Sequence, residues 1–370
     1  MQNARFESFT IAKKYAIMER HSRKTYAYGK RLFVLGYTAQ DFFVGFSGAL
    51  NEKINLQEKE YMLKRKDVLG LIDMQAEELQ QILDLAHSFK QRIKNGEKKF
   101  SYLEGKTATI LFYENSTRTR TSFEQAAKYL GATAINIAAG TSSVAKGETL
   151  VDTGKTLDAQ KNDFIIMRHP MGGAPYLLAN TVKASVLNAG DGMNEHPSQA
   201  LLDMLTMQEV FGQIKGLKVA ILGDIKHSRV AKSNLFGLQT LGAEVSMYAP
   251  KTLIPKDIDK LGAKICSSRE EALDGADVVM GLRIQLERQQ AGNFPSLGEY
   301  AANYGVGEKE LAYAKPNAIV LHPGPVNRNV ELTSQVIDHE RSHIEDQVLS
   351  GVAVRMALLY LLNEYRESVK

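Results

Sequence analysis

The sequence predicts an α/β chain: two doubly wound parallel-sheet domains joined by interdomain helices and preceded by an irregular N-terminal extension. Three observations predict it. From about residue 66 onward, short apolar β-branched runs alternate with segments whose apolar residues recur at helical spacing, the pattern of a parallel sheet covered on both faces. Those runs end in polar or charged residues, and ligands of open α/β sheets bind beyond the carboxyl ends of strands. A long apolar helix pattern, Pro197–Phe211, interrupts the alternation, which then resumes.

Taken in order, residues 1–65 are the least regular. The first 50 hold eight Lys/Arg against Glu7, Glu19 and Asp41, without helical or strand period. No apolar signal core is present, so a secretory peptide is not expected. A basic, acid-poor leader leaves organelle import open, but Ser is sparse and no cleavage site is evident. The expectation is a poorly ordered extension on a cytoplasmic protein. Residues 74–94 carry Leu79, Ile82, Leu83, Leu85, Ala86 and Phe89 on one helical face. Thr107–Phe112 reads as a buried strand, 122–130 as a helix, 132–137 as a strand and 148–160 as a helix. Strands at 164–167 and 185–188 follow, then the long helix, taken as the bridge to a second domain. There, strands are expected at 218–223, 243–248, 264–266, 277–282 and 318–321, and a final helix over 349–365.

The totals exclude several classes. A length of 370 residues suggests two or three domains, and 44% hydrophobic residues suffice for ordinary cores. A formal charge of +4 is too small to argue for nucleic acid. The single cysteine, Cys266, allows neither an intrachain disulfide nor a cysteine-rich metal site. No apolar run approaches the roughly 18 residues of a membrane span.

The chemistry concentrates in Ser116-Thr117-Arg118-Thr119-Arg120-Thr121. Ser116 or Thr117 is placed to cap the following helix, with Arg118 and Arg120 in its first turn. Cations there oppose the helix dipole, an arrangement that makes sense if an anion sits at the helix start. Unpaired backbone N–H groups, hydroxyls and a guanidinium together suit a phosphate. Arg168 follows an apolar strand directly, so the strand aims it into a cleft. Pro197 suits the first helical position, which puts His196 just outside the helix and Gln199 in its first turn. Arg283 and Gln285 lie two apart in an extended segment and so face the same way. With Arg229 they supply two guanidiniums, which match a dicarboxylate because each can form paired bonds to a carboxylate.

Ser116-Thr117-Arg118-Thr119-Arg120 after an apolar strand, with Phe112 and Glu114 before it, resembles the carbamoyl-phosphate loop of the aspartate/ornithine carbamoyltransferase family. Arg168-His169-Pro170 resembles the family's strand-end arginine, and His196-Pro197-Ser198-Gln199 its His-Pro-x-Gln motif. The resemblance runs from near Leu63 almost to the C-terminus. It implies that Ser116, Thr117, Arg118 and Thr119 hold carbamoyl phosphate, with Arg118 on the phosphate. It implies that Thr119, Arg168 and His196 contact the carbonyl oxygen and that Gln199 receives the amide nitrogen. The ornithine branch carries a His-Cys-Leu-Pro motif; this chain has His322-Pro323-Gly324-Pro325, similar to the aspartate branch. Arg229 then resembles the holder of the aspartate α-carboxylate, and Arg283 with Gln285 that of the side-chain carboxylate. The resemblance also implies backbone contacts from Gly324 and Pro325. The loop 140–148 resembles one that reaches into a neighbouring subunit's site, with Ser142 (Ser143 being the alternative) and Lys146 touching the ligands. The implied partners are carbamoyl phosphate and L-aspartate in a homotrimer with shared sites, and two trimers joined by regulatory chains are left open. No metal or organic cofactor is implied. In the resembled fold, residues 66–196 and a returning helix in 345–370 form the carbamoyl-phosphate domain and 197–344 the aspartate domain. The rivals are a transferase for another amine and a non-catalytic ligand sensor.

Overall fold

The computed structural model describes residues 63–138, 147–285 and 294–370. The extension up to residue 62, and Ser142, Ser143 and Lys146, lie outside the described residues. Residues 63–65 are part of the folded body: Leu63 is buried, and Arg65 pairs with Glu78 at 2.6 Å and Asp73 at 3.1 Å.

Helix α1 (Ala76–Lys94) starts at Gln75, where the N3 residue Glu78 reaches back to the Gln75 N–H. The first sheet is built from β1 (Thr107–Phe112), β2 (Thr133–Ala138), β3 (Phe164–His169) and β4 (Ser185–Asp191), with helices α2 (Thr117–Tyr129), α3 (Leu150–Ala159) and α4 (Ala174–Ala179) between them. Its order is β2-β1-β3-β4 and every pairing is parallel. Helix α3 begins where Thr149 accepts from the Asp152 N–H. The sheet core is Leu111, Ile165, Met167 and Val186 under Leu157 and Leu178.

Helix α5 (Pro197–Phe211) leads to the second sheet: β5 (Lys218–Gly223), α6 (Arg229–Thr240), β6 (Glu244–Tyr248), β7 (Lys264–Ile265), α7 (Arg269–Leu273), β8 (Val278–Leu282), α8 (Leu297–Tyr304), α9 (Glu308–Leu311), β9 (Ile319–Leu321) and α10 (Ser334–Ile337). Its order is β7-β6-β5-β8-β9, again all parallel. Leu222, Val279, Val320 and Leu332 centre its core.

Helix α11 (Asp346–Ser368) returns to pack on α1, α2 and α5. Contrary to the reading of the apolar runs, it is long and apolar enough by length and composition to cross a membrane. In this fold 72% of that window is buried inside the protein. Leu358, Leu359, Leu361 and Leu362 are all buried, at roughly 1.5–3 kcal/mol each, which accounts for its composition as a core helix. Strand and helix limits otherwise lie close to expectation; the main difference is that β3 and β4 run on to His169 and Asp191. Arg168 therefore stands within the last residues of its strand.

Candidate active site

The carboxyl ends of both sheets open on one cleft of about 880 Å³. At its floor is the start of α2. Ser116 stands at the N-cap with extended backbone, but its side chain makes no capping bond, so the expected hydroxyl cap is not formed. The first-turn N–H groups are thereby left for another acceptor. Arg118 projects from this turn across the gap toward Arg283, which follows β8 in the other half. Burial, and then the Arg283 charge, lower the Arg118 pKa. Two guanidiniums lining one space suit an anion. Gly324 packs beneath: its φ is +64°, and a Cβ there would lie 3.2 Å from the Arg118 guanidinium carbon. Only glycine meets both conditions easily.

The second cluster crosses the cleft through Glu114. Its Oε2 accepts from Arg168 Nε at 3.1 Å and from Arg229 Nη2 at 2.9 Å, so one carboxylate holds an arginine from the end of β3 and one from the start of α6. Arg168 also approaches the Thr119 hydroxyl at 3.5 Å. Arg229 lies against the backbone of Gly190, where a Cβ would come within 2.7 Å of its Nε.

His196 is the buried N-cap of α5, and its backbone N–H donates to Ser233 Oγ at 2.8 Å. Burial, then the charges of Arg229, Arg168 and Arg355, push its imidazole well below the ordinary value. It is therefore neutral near pH 7 and acts as a hydrogen-bonding group rather than a cation. Gln199, one turn on, donates from Nε2 to Asp203 Oδ1 at 2.9 Å.

On the far side, Gln285 donates through Nε2 to the His227 carbonyl at 3.0 Å, and its N–H donates to Asp224 at 3.2 Å. Glu331 accepts the Ile284 N–H at 2.8 Å and the Asn327 amide at 2.8 Å, fixing the segment that carries Arg283. His322 accepts the Gly324 N–H at Nδ1 (2.9 Å), which holds the turn before Pro325. Burial, with Arg118 and Arg283 nearby, pushes His322 down to about 3, so this acceptor persists.

Every sequence-predicted site residue among the described ones lines this cleft: Ser116, Thr117, Arg118, Thr119, Arg168, His196, Gln199, Arg229, Arg283, Gln285, Gly324 and Pro325. Sequence reasoning gave no role to Glu114, Asp203, Gln347 or Arg355. An acidic residue two positions before the cationic loop was a signal for Glu114. Arg355 offered one too, as a cation within an apolar helix pattern. It donates to Ser122 Oγ at 3.0 Å and lies 4.9 Å from the Phe123 ring, and burial pushes it down to about 9 although Asp203 opposes this.

Most of the described body matches known domains. Residues 66–209 match the family model for the aspartate/ornithine carbamoyltransferase carbamoyl-P binding domain, and 215–362 that for the Asp/Orn binding domain. The chain belongs to the aspartate/ornithine carbamoyltransferase family. The aspartate carbamoyltransferase catalytic subunit of Ruminiclostridium cellulolyticum is 62% identical over 300 residues, covering 81% of this chain and 96% of that protein. The same subunit of Acetivibrio thermocellus is 62% identical over 301 residues, with the same shares covered. Among solved structures, aspartate transcarbamoylase from Trypanosoma cruzi in complex with N-(phosphonacetyl)-L-aspartic acid superposes with a TM-score of 0.73 at 33% identity, covering 81% of this chain and 96% of that one. Ornithine carbamoyltransferase from Pyrococcus furiosus gives 0.72 at 32% identity, covering 80% and 96%. The carbamoyltransferase fold thus does not separate the two branches. The sequence relatives named here are of the aspartate branch.

Proposed function

We propose that this carbamoyltransferase moves the carbamoyl group of carbamoyl phosphate to the α-amine of L-aspartate, giving N-carbamoyl-L-aspartate and phosphate for pyrimidine synthesis. The observation that carries it is the convergence of Arg118 and Arg168 from one half, and Arg229 and Arg283 from the other, on one cleft. A phosphate and a dicarboxylate together call for that much positive charge. Residues 66–196 with 345–370 are the carbamoyl-phosphate domain in this reading, and 197–344 the aspartate domain.

The start of α2 and Arg118 hold the phosphate, with Ser116 and Thr117. Thr119, Arg168 and His196 surround the carbonyl oxygen, and Gln199 receives the amide nitrogen. Arg229 takes the α-carboxylate, Arg283 and Gln285 the side-chain carboxylate, and the Gly324 and Pro325 backbone lies along both substrates. The amine attacks the carbonyl carbon and negative charge builds on its oxygen, where preorganised donors stabilise it more than the ground state. The carbon–oxygen bond to phosphate then breaks. The charge moves onto phosphate, which Arg118 faces, and the departing phosphate accepts the amine proton. Holding both substrates in one cleft supplies the remaining advantage.

Phosphate release with aspartate against ornithine as acceptor tests the reading: ornithine working as well as aspartate would sink it. In calorimetry, a bisubstrate mimic joining a phosphonate to aspartate should bind far more tightly than either substrate. Arg283→Ala should weaken the mimic on the order of a hundredfold and carbamoyl phosphate little.

We also propose a cyclic trimer in which Lys146 and Ser142 complete a neighbour's site. Support comes from β2, the edge strand leading to that loop, which leaves Ile135 41% exposed while β1 and β4 are largely buried. Lys146→Ala and Arg283→Ala enzymes should each be nearly inactive. Mixed, dissociated and reassembled, they should regain about one working site per hybrid trimer, because one interface pairs an intact loop with an intact pocket. No recovery would place Lys146 in its own chain's site. Arg283→Ala mixed with Arg229→Ala should not complement.

A further inference from the structure

Asp203 lies one turn beyond Gln199 on α5 and is wholly buried. Its Oδ1 accepts from Gln199 Nε2 at 2.9 Å and from Gln347 Nε2 at 2.6 Å, and its Oδ2 accepts from Asn234 Nδ2 at 2.8 Å. An ionised carboxylate offers only lone pairs, so each of these amides must turn its NH2 group toward it. Two of the three amides are held in that sense by a second bond. The Gln347 oxygen accepts the His322 N–H at 3.0 Å, and the Asn234 NH2 also donates to the Val230 carbonyl at 3.1 Å. For the Gln199 side chain, Asp203 is the one hydrogen-bond partner among the described residues. Gln199 lines the cleft, and with its NH2 group on Asp203 its carbonyl oxygen is the end left without a hydrogen-bond partner among the described residues.

We infer that Asp203 is a positioning residue that turns the Gln199 carbonyl oxygen into the cleft, making the site select a carbamoyl NH2 over the isosteric methyl of an acetyl group. This rests on the proposed function, in which Gln199 meets the amide end of carbamoyl phosphate. With the amide reversed, Gln199 would present N–H to N–H, donor against donor. With it held as found, acetyl phosphate leaves a buried acceptor unpaired, which is the costly kind of mismatch. Gln347 carries the same carboxylate's hold to the backbone of His322, so the acceptor's direction and the Gly324–Pro325 turn are fixed by one group.

The test compares binding of carbamoyl phosphate and acetyl phosphate by calorimetry at about pH 8, where Asp203, pushed up to about 7 by burial, is ionised. The wild type should prefer carbamoyl phosphate by at least about tenfold. Asp203→Leu, which leaves no acceptor, should abolish most of that preference by weakening carbamoyl phosphate while acetyl phosphate changes little. Asp203→Asn should keep it. Its oxygen can still face Gln199 and Gln347; its NH2 meets the Asn234 Oδ1, which has no partner among the described residues, once that amide turns and gives up its Val230 bond, a cost both ligands share. Equal weakening of both ligands in Asp203→Leu, or an unchanged ratio, would overturn the inference. Should Asp203→Leu not fold, the wild type itself decides. The Gln199 side-chain amide protons, assigned by their loss in Gln199→Met, should exchange slowly in the ligand-free enzyme, and fast exchange would overturn the inference. A wild type that binds neither phosphate would strike at the proposed function instead, and the Gln199 exchange rate would still report the orientation.

Discussion

Arg118→Ala should lower kcat by on the order of a hundredfold or more while the protein stays folded. The fold has little use for this side chain. It projects into the cleft, and among the described residues no carboxylate pairs with it. Removing it also relieves its repulsion of Arg283, so the melting temperature should hold or rise slightly. The loss is catalytic because phosphate gains charge as the carbon–oxygen bond breaks, and a guanidinium facing it stabilises that state over the bound substrate. Steady-state kinetics beside a thermal melt would check it. A folded variant with near-native turnover would remove the α2 start from the mechanism.

Glu114→Gln should cost about tenfold to a hundredfold in kcat/KM, the usual worth of a hydrogen bond to a charged group. The substitution keeps shape and one acceptor oxygen but removes the charge that Arg168 and Arg229 share. Each arginine comes from a different half of the fold, so the change loosens both the carbonyl side and the carboxylate side. The expected signature is a raised KM for aspartate together with a lowered kcat. A variant losing kcat alone would confine Glu114 to Arg168. Unchanged kinetics would make the bridge a feature of the ligand-free cleft with no part in turnover.

The readable parts of the molecule are those where one short stretch carries the whole signal. Residues 164–167 and Val278–Leu282 are buried in parallel strands, so they appear as continuous apolar runs, and Arg168, at the end of the first strand, and Arg283, just after the second, are aimed by the strand itself. The α2 start is legible because its hydroxyls and cations are consecutive. By contrast, α9 and α10 have four residues each, too few to show a period. Glu114 and Asp203 escaped for another reason. Glu114 meets Arg229 115 positions away, and Asp203 meets Gln347 144 positions away, so neither partner is visible from the local sequence. A buried Asp in an apolar helix signals that some partner exists but not which. The Ser116 cap was misjudged because helix-start statistics favour a hydroxyl bonded to its own backbone. Here those N–H groups face a cleft.

The return of α11 to the first sheet has a bearing on how the chain acquires its structure. The first half is discontinuous: α1, α2 and α5 all pack against α11, and the entire second sheet lies between α5 and α11 in sequence. Closing a long flexible loop to bring α11 home is entropically unfavourable, and that cost rises with loop length. The second sheet is continuous in sequence and can form without waiting for α11. Once formed, it replaces the flexible loop with a rigid body whose two ends already lie near each other. The half that binds the second substrate then acts as a template, shortening the search by which the half that binds the first is sealed.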